Sequence, residues 1–179
     1  MAIWLTADEH YNHQNIINYC NRPFPDMKTM NAEIMGRFIR LVQPEDITYH
    51  VGDFALYGGT FDRMNAGGDD IDAIIESLPG RHVFIMGNHD RGNEAKFKIK
   101  EIIIEAFGYR FRLLHHPAEA PSDGMLNLTG HVHGLWTWGF NDVGARCFNV
   151  GVDVHNFEPI QLATIVKMMR KTCVIKNNT

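Results

Sequence analysis

Five short apolar segments of the chain are followed, directly or after one or two residues, by an aspartate, an asparagine or a histidine. The segments are residues 2–6, 46–51, 83–86, 109–114 and 125–129. Their length and composition are typical of buried β-strands. In open α/β sheets, ligands bind beyond the carboxyl ends of the strands, where the connecting loops gather. The five segments therefore predict one shared polar site at the strand ends.

Between these strands the sequence predicts helices, at residues 27–42, 69–78 and 95–107. The first has apolar residues three or four positions apart and stops before Pro44. Asp69 or Asp70 would cap the second helix, and Gly108 would end the third. Alternating strands and helices predict an α/β layered fold.

The remaining segments complete a single domain over residues 1–179. Residues 147–150 are predicted to form another strand, and residues 160–171 carry both strand and helix signals. A polar, frayed tail is expected at the end of the chain, over residues 172–179. A chain of 179 residues fits one domain that buries its own core.

Composition limits the classes of partner. The formal net charge is -4, which argues against an extended nucleic-acid surface, because such a surface needs clustered Lys and Arg. A small phosphorylated ligand is compatible with this charge if metal ions supply positive charge locally. The three cysteines, Cys20, Cys147 and Cys173, are expected to be reduced thiols in a cytoplasmic protein. No apolar run is long enough to predict a membrane span, and the composition leaves a homo-oligomer open.

Two of the strand ends offer carboxylates. Asp8 and His10 are two residues apart, so in extended backbone both side chains point to the same side and could bind one ion. Gly52 allows a sharp bend that would leave Asp53 facing the site, and its two oxygens could bridge two ions. The alternatives are an aspartate that caps a turn beside a surface histidine, and an ordinary Gly-Asp turn.

The turn at residues 87–90 combines three chemically different side chains. Asn88 offers a carbonyl oxygen to a metal ion. His89 could protonate a leaving oxygen, while Asp90 would accept a hydrogen bond from His89 and set its tautomer. A β-turn rich in Asn and Asp is the structural alternative.

Histidines follow the last two strands. His131 and His133 flank one apolar residue between two glycines, a pattern that commonly binds metal; two exposed loop histidines are the alternative. His115 and His116 follow residues 109–114, and only one of them can point into a site at that strand end.

Taken in chain order, these blocks resemble the calcineurin-like metallophosphoesterase superfamily over roughly residues 1–160. His13 and the segments 21–24 and 150–157 also make the chain similar to a small bacterial and viral branch. The resemblance implies a two-sheet β-sandwich flanked by helices, with a dinuclear metal site at the strand ends.

The resemblance also implies roles for individual residues. Asp8, His10 and His133 would bind one ion and Asn88, His115 and His131 the other, with Asp53 bridging the two. His115 is favoured over His116 because a histidine two residues before Pro117 fits the family pattern. His89 matches the catalytic histidine, which contacts the phosphate or the leaving group.

The implied function is hydrolysis of a small phosphomonoester or phosphodiester by a water that two divalent ions activate. Manganese is the expected metal, with iron, zinc, nickel or cobalt as alternatives. His13 and Arg22 are further candidates for binding the substrate phosphate. The alternative functions are a nuclease or RNA-end processor and a non-catalytic scaffold on the same fold.

Overall fold

The computed structural model describes residues 1–56, 70–90 and 97–176. Nine strands and four helices lie within these ranges. The strands are β1 Ile3–Thr6, β2 Ile47–Val51, β3 Arg81–Ile85, β4 Glu101–Ala106, β5 Tyr109–Leu114, β6 Leu126–Thr129, β7 Trp138–Phe140, β8 Arg146–Asn149 and β9 Ile160–Gln161. The helices are α1 Gln14–Tyr19, α2 Met27–Leu41, α3 Ile71–Ser77 and α4 Leu162–Lys176.

The strands form two sheets, so the predicted two-sheet architecture is confirmed. The first sheet has four strands in the order β3-β2-β1-β9, and β1, β2 and β3 are parallel. The second has five strands in the order β4-β5-β6-β8-β7, and β5, β6 and β8 are parallel. Beyond the strand ends, Ala7 pairs with Gly151 and joins the chain after β1 to the chain after β8. The carboxyl ends of these six strands thus meet close to this link.

The main core lies between the sheets, because alternate residues of each strand point to opposite faces. In β1, Leu5 packs in this core and Trp4 packs against the helices on the other face. Helix α4 adds Leu162, Ile165 and Met169 to the core between the sheets.

Helix α2 packs on the outer face of the first sheet. Asp26 caps it by accepting a hydrogen bond of 2.8 Å from the backbone N–H of Thr29. Its buried face presents Met27, Met30, Ile34 and Phe38, the stripe from which the helix was predicted. Helices α1 and α3 contribute to the same layer.

The helix predicted at residues 95–107 is wrong. Residues 101–106 form β4, which pairs in antiparallel register with β5 and turns through Phe107 and Gly108. Both turn residues have positive φ, 56° and 80°, as a two-residue type I′ hairpin requires. The glycine expected to end a helix therefore closes a hairpin, and consecutive β-branched isoleucines favour the strand. Residues 95 and 96 lie outside the described ranges.

Other predicted elements are present with shifted bounds. Helix α3 is capped by Asp70, which accepts from the N–H of Asp72; the alternative cap, Asp69, lies outside the described ranges. The undecided segment 160–171 begins as β9 and continues as α4. Helix α4 runs to Lys176, into the stretch expected to be a frayed tail, and residues 177–179 are not described. The sequence patterns missed α1 and β7, which are short.

Two further expectations concern membrane-spanning segments and the oxidation state of the cysteines. In the described part of the chain, no helix combines the length and the apolar character that crossing a membrane requires. Cys20 and Cys147 are free thiols, and the side chain of Cys173 is not among those described.

A chain of buried polar side chains crosses the first sheet. Glu9 directs Oε1 to within 2.6 Å of Nδ1 of His50, whose Nε2 lies 3.0 Å from Nδ1 of His82. His82 in turn donates from Nε2 to the carbonyl oxygen of Leu78 at 3.2 Å. Burial raises the pKa of Glu9 to about 8 and lowers the pKa of His50 to about 3. These interactions stabilise the fold with uncharged histidines.

The lowered pKa values of these histidines predict that the folded protein loses stability in acid. Burial lowers the pKa of His82 to about 4, whereas a histidine of the unfolded chain titrates near 6.5. Below about pH 6.5 the unfolded chain binds a proton that the native chain does not, so the free energy of unfolding should fall as the pH falls towards about 4. In urea unfolding at about pH 7 and about pH 5, His82→Gln should show a smaller pH dependence than the parent. If the free energy of unfolding depended equally on pH in His82→Gln and in the parent, the lowered pKa of His82 would not be the cause of the acid sensitivity.

Replacing glycine by alanine should have opposite effects on the free energy of unfolding at Gly108, in the hairpin turn, and at Gly36, in helix α2. A Cβ at Gly108 or at Gly36, in α2, would meet no atom within 4 Å. Gly108 has a φ of +80°, so Gly108→Ala should lower the free energy of unfolding by about 1 kcal/mol. Gly36→Ala should raise it by about 0.5–1 kcal/mol, because alanine favours the helix. Urea unfolding with unchanged m-values checks both signs; a stabilising Gly108→Ala would rule out the turn.

Candidate metal centre

The residues predicted as ligands lie together beyond the carboxyl ends of the parallel strands. The loops after β1, β2 and β3 approach those after β5 and β6, because the two sheets face each other and meet at Ala7 and Gly151. The residues brought together are Asp8, His10, Asp53, Asn88, His89, His115, His131 and His133.

The first set of ligand-type residues is Asp8, His10 and His133. One side-chain ligand atom from each lies within 4.8 Å of the others. Asp8 and His10 are fully buried, and both oxygens of Asp8 accept hydrogen bonds from the backbone N–H of His131, at 3.0 and 2.9 Å.

The second set is Asp53, His115 and His131, again with ligand atoms within 4.8 Å of one another. Asn88 adds an amide oxygen to this set. Its Oδ1 lies 3.1 Å from Nε2 of His115 and 2.9 Å from Nδ1 of His131. Both imidazoles therefore converge on one carbonyl oxygen.

Asp53 lies between the two sets. Its Oδ2 is 3.2 Å from Nε2 of His115 and 3.6 Å from Nε2 of His10. Its Oδ1 accepts a hydrogen bond of 2.7 Å from the backbone N–H of His89. One carboxylate oxygen thus contacts a histidine from each set, which is the geometry a bridging ligand needs.

The backbone of this site is strained. Five of the ligand-type residues have the left-handed φ that side chains rarely adopt: Asp8 (57°), His10 (53°), Asp53 (55°), His131 (71°) and His133 (46°). Such conformations cost of order 1–3 kcal/mol each and cluster at functional sites. Their concentration here separates these loops from ordinary turns.

Two glycines leave space for the ligand-type side chains. A Cβ at Gly87 would collide with Oδ1 and the backbone nitrogen of Asp53. A Cβ at Gly52 would collide with the ring of His115, and the φ of Gly52 is +88°. The glycines in these two motifs therefore allow backbone and ligand to approach closely.

The electrostatics of the site favour a cation. Burial raises the pKa of Asp8 to about 7 and lowers the pKa of His10 well below its usual value. Nε2 of His10 is buried and has no hydrogen-bond partner among the described residues. An orphaned imidazole nitrogen beside two buried carboxylates is costly as it stands, and a divalent ion would satisfy all three groups. The residues present therefore fit a metal centre of mixed nitrogen and oxygen ligands.

The neighbouring histidines, which sequence left open, differ in position. His115 lies in the second set, and its Nδ1 donates to the carbonyl oxygen of Val51 at 2.9 Å, which leaves Nε2 directed at Asp53. His116 instead caps a 3-10 turn, where its Nδ1 accepts from the backbone N–H of Ala118 at 3.1 Å. Of the two, only His115 lies in one of the two sets of ligand-type residues.

Comparison with known proteins identifies the family. The uncharacterized protein MJ1445 of Methanocaldococcus jannaschii is 36% identical over 179 residues, which covers 97% of this chain and 94% of MJ1445. The chain belongs to the same family as MJ1445. No family model matches it.

A solved structure of a similar protein has the same fold. The protein of unknown function AQ665 from Aquifex aeolicus is 28% identical and superimposes with a TM-score of 0.69, covering 93% of this chain and 98% of AQ665. YfcE, a phosphoesterase from E. coli, aligns more distantly, at 16% identity and a TM-score of 0.49, over 84% of this chain and 79% of YfcE.

The two-sheet fold implied by the resemblance to the calcineurin-like metallophosphoesterases is confirmed. The ordered motif blocks lie at the strand ends of this α/β fold, and their side chains form the two sets of ligand-type residues.

His13 and His89 border the first set. Nδ1 of His13 lies 3.1 Å from Nδ1 of His10, and the two rings are 5.0 Å apart. The exposed ring of His89 lies 5.1 Å from that of His10 and 5.4 Å from that of His13. Both candidates for substrate contact are therefore beside the candidate metal centre.

The role predicted for Asp90 is corrected. Its fully buried carboxylate accepts from the backbone N–H groups of Gly87, Asp53 and Phe54, at 2.8, 2.9 and 3.0 Å. None of its hydrogen bonds within the described ranges goes to His89. Asp90 therefore fixes the loop that carries Asp53, because its carboxylate accepts hydrogen bonds from the backbone N–H groups of Asp53 and Phe54.

The phosphate contact predicted for Arg22 is also corrected. Its buried guanidinium donates from Nε and Nη2 to the two oxygens of Asp153, at 2.9 and 2.8 Å. It also donates to the backbone oxygens of Asp8 and Glu9, at 2.6 and 3.0 Å. With its fork directed inward, Arg22 stabilises the loop of the first set instead of meeting substrate.

Sequence reasoning missed Asp153, which borders the candidate metal centre. Its Oδ2 lies 2.9 Å from Nδ1 of His133. Burial opposes the charged forms, yet this contact raises the pKa of His133 to about 10, and His133 and Arg22 together lower the pKa of Asp153. A carboxylate on the second nitrogen of a metal-binding histidine fixes its tautomer and orientation. The signal was the segment 150–157, which carried part of the family resemblance.

Removing this charge should weaken metal binding. Asp153→Asn keeps the shape but loses the carboxylate that orients His133, so the affinity for Mn²⁺ should fall about 10–100-fold. Isothermal titration calorimetry measures the change. Asp123→Asn is the matched control, because Asp123 pairs with Arg112 at an exposed site and its loss should leave Mn²⁺ binding unchanged. Equal affinity of Asp153→Asn and the parent would exclude the positioning role.

Proposed function

We propose that this protein is a metal-dependent phosphoesterase that hydrolyses a small phosphomonoester or phosphodiester. The observation that carries the proposal is the convergence of two sets of ligand-type side chains on Oδ2 of Asp53. Paired sites of this kind clamp the attacking and leaving oxygens of a phosphoryl transfer.

In this proposal Asp8, His10 and His133 hold one ion, and Asn88, His115 and His131 hold the other, with Asp53 shared. The mixed nitrogen and oxygen donors suit manganese, iron, zinc, cobalt or nickel, and manganese is our first choice. Bound there, two divalent ions would supply the positive charge that lowers the pKa of a water and offsets the charge on phosphoryl oxygens.

His89 is the proposed proton donor to the leaving oxygen. Its exposed ring borders the first set, and Asp53 holds its backbone N–H at 2.7 Å, which fixes the loop relative to the ligands. Proton transfer of this kind contributes about 10²–10⁴-fold to a rate. His13, which adjoins both His10 and His89, is the proposed contact to a phosphoryl oxygen.

Arg22, Asp90, Asn149 and Asp153 act through other residues in this scheme. Asn149 donates from its side-chain amide to the backbone oxygens of His133 and Trp136, at 2.7 and 2.9 Å. Asp90 and Arg22 hold the loops after β2 and β1. Together they keep strained ligand loops in one conformation, which reduces reorganisation during the reaction.

The substrate in this proposal is small. The net charge of -4 disfavours a polymer with many phosphates, because few Lys and Arg are available to replace its counterions. A single phosphoryl group, by contrast, requires positive charge only at the metal centre.

Removing the proposed proton donor should abolish most turnover of phenyl phosphate. With Mn²⁺, His89→Ala should lower kcat for phenyl phosphate, whose leaving oxygen needs a proton near neutral pH, by about 10²–10⁴-fold. It should lower kcat much less for p-nitrophenyl phosphate or bis-p-nitrophenyl phosphate, whose leaving group departs as the anion. Its Mn²⁺ content should equal that of the parent, because His89 is not a ligand in this scheme. His82→Gln is the matched histidine control and should keep full activity.

Two outcomes would contradict the proposal. One is no turnover of any of these substrates by the parent protein with any of the five metals, which would assign the centre to a different reaction or to a scaffold. The other is equal turnover of phenyl phosphate by His89→Ala and the parent, which would exclude His89 as the proton donor.

A further inference from the structure

Tyr19 is an exposed aromatic residue at the border of the candidate metal centre. It ends α1, and its side chain is 74% exposed. Its ring lies 6.3 Å from that of His13, centroid to centroid, in an edge-to-face arrangement at 83°. A single exposed ring is ordinary on a protein surface, so the position of this one carries the argument.

The rings of His89, His13 and Tyr19 form a series that leads away from the metal ligands. His89 and His13 are 5.4 Å apart, and His13 and Tyr19 are 6.3 Å apart. His13 is buried, so a planar substituent on an oxygen of the phosphate next to His89 would extend past the edge of the His13 ring towards the exposed ring of Tyr19. Aromatic pairs at such separations attract each other in stacked or edge-to-face geometry.

The helix that carries Tyr19 is held firmly on its other side. Ile16 and Ile17 are buried in the layer beneath the first sheet. The backbone N–H of Cys20 donates a hydrogen bond of 2.9 Å to the carbonyl oxygen of Ile16. The backbone N–H of Arg22 donates one of 2.8 Å to the carbonyl oxygen of Ile17. Because Arg22 is itself anchored by Asp153, the position of Tyr19 is coupled to the loop of the first set.

Other aromatic residues are less suited to this task. Trp138 packs on Phe148 with ring centroids 4.7 Å apart and has the guanidinium of Arg146 on its ring. Trp136 packs closely against Gly139. Phe107 and Tyr109 are exposed, but they lie at the amino end of β5, the end opposite His115. Among the described aromatic residues, Tyr19 combines high exposure with a contact to a histidine of the centre.

We propose that Tyr19 is a specificity-determining residue that stacks with a planar ring of the substrate. This rests on the proposed function and narrows its substrate to aryl or nucleoside phosphoesters, in preference to small alkyl phosphoesters. The ring of Tyr19 contributes through its face or edge, so its hydroxyl is not required.

The test uses two phosphonates that a phosphoesterase does not hydrolyse, benzylphosphonate and methylphosphonate, with the full chain loaded with Mn²⁺. They present the same charged group and differ in the ring. Tyr19→Ala should weaken benzylphosphonate binding by roughly 5- to 100-fold, the range that loss of one stacking aromatic produces. It should leave methylphosphonate binding within about twofold of the parent. Calorimetry measures both dissociation constants.

Two variants complete the design. Tyr19→Phe should keep the parent preference for benzylphosphonate, because it retains the ring. Tyr109→Ala removes a tyrosine that is 38% exposed and lies at the end of β5 away from His115. It should change the dissociation constant of neither phosphonate. Equal effects of Tyr19→Ala on both ligands, or no effect on either, would overturn the proposal.

The outcome is separable from that of the proposed function. Phosphonate binding does not depend on turnover, so a ring preference that vanishes in Tyr19→Ala supports this inference even if neither nitrophenyl substrate is hydrolysed. Conversely, full turnover without any ring preference would reject the role of Tyr19 and leave the phosphoesterase proposal intact.

Discussion

The contact of one buried carboxylate with histidines from both sheets organises this molecule. Asp53 is 1% exposed, and its Oδ2 lies within 3.6 Å of His10 on the first sheet and within 3.2 Å of His115 on the second. A carboxylate at this depth requires positive charge or hydrogen bonds around it. It receives them from histidine rings and from the backbone N–H of His89. The sheets therefore have to meet at this point for the centre to exist.

The surrounding structure stabilises a site that is unfavourable by itself. Two features cost free energy: left-handed backbone at the ligand-type residues, and a nitrogen of His10 that has no hydrogen-bond partner in the described part of the chain. Opposing this, the carboxylate of Asp90 gathers several backbone donors, and Arg22 binds Asp153 and the oxygen of Asp8. The core between the sheets holds these loops in place, so stability of the fold and geometry of the centre are linked.

The centre has two unlike borders. On the side of the first set, His13, His89 and the exposed ring of Tyr19 follow one another, and this side has the groups suited to a leaving group. On the side of the second set, the ring of His116 lies 3.9 Å from that of His131 and its Nδ1 is engaged with the backbone. In the proposed function, an asymmetric pocket of this kind would orient an ester so that one oxygen faces His89.

The sequence by itself determined the chemistry of the centre and most of the strands that carry it. Residue types such as Asp8, Asp53 and His131 follow apolar segments, and strand periodicity reveals those segments without reference to the rest of the chain. Only the tertiary structure decided which partners the charged groups find. Arg22 and Asp153 are 131 residues apart, so no local pattern joins them, and the choice of His115 over His116 depends on Val51 from another sheet. The hairpin at Gly108 was missed for the same reason, because its identity as a strand depends on pairing with β5.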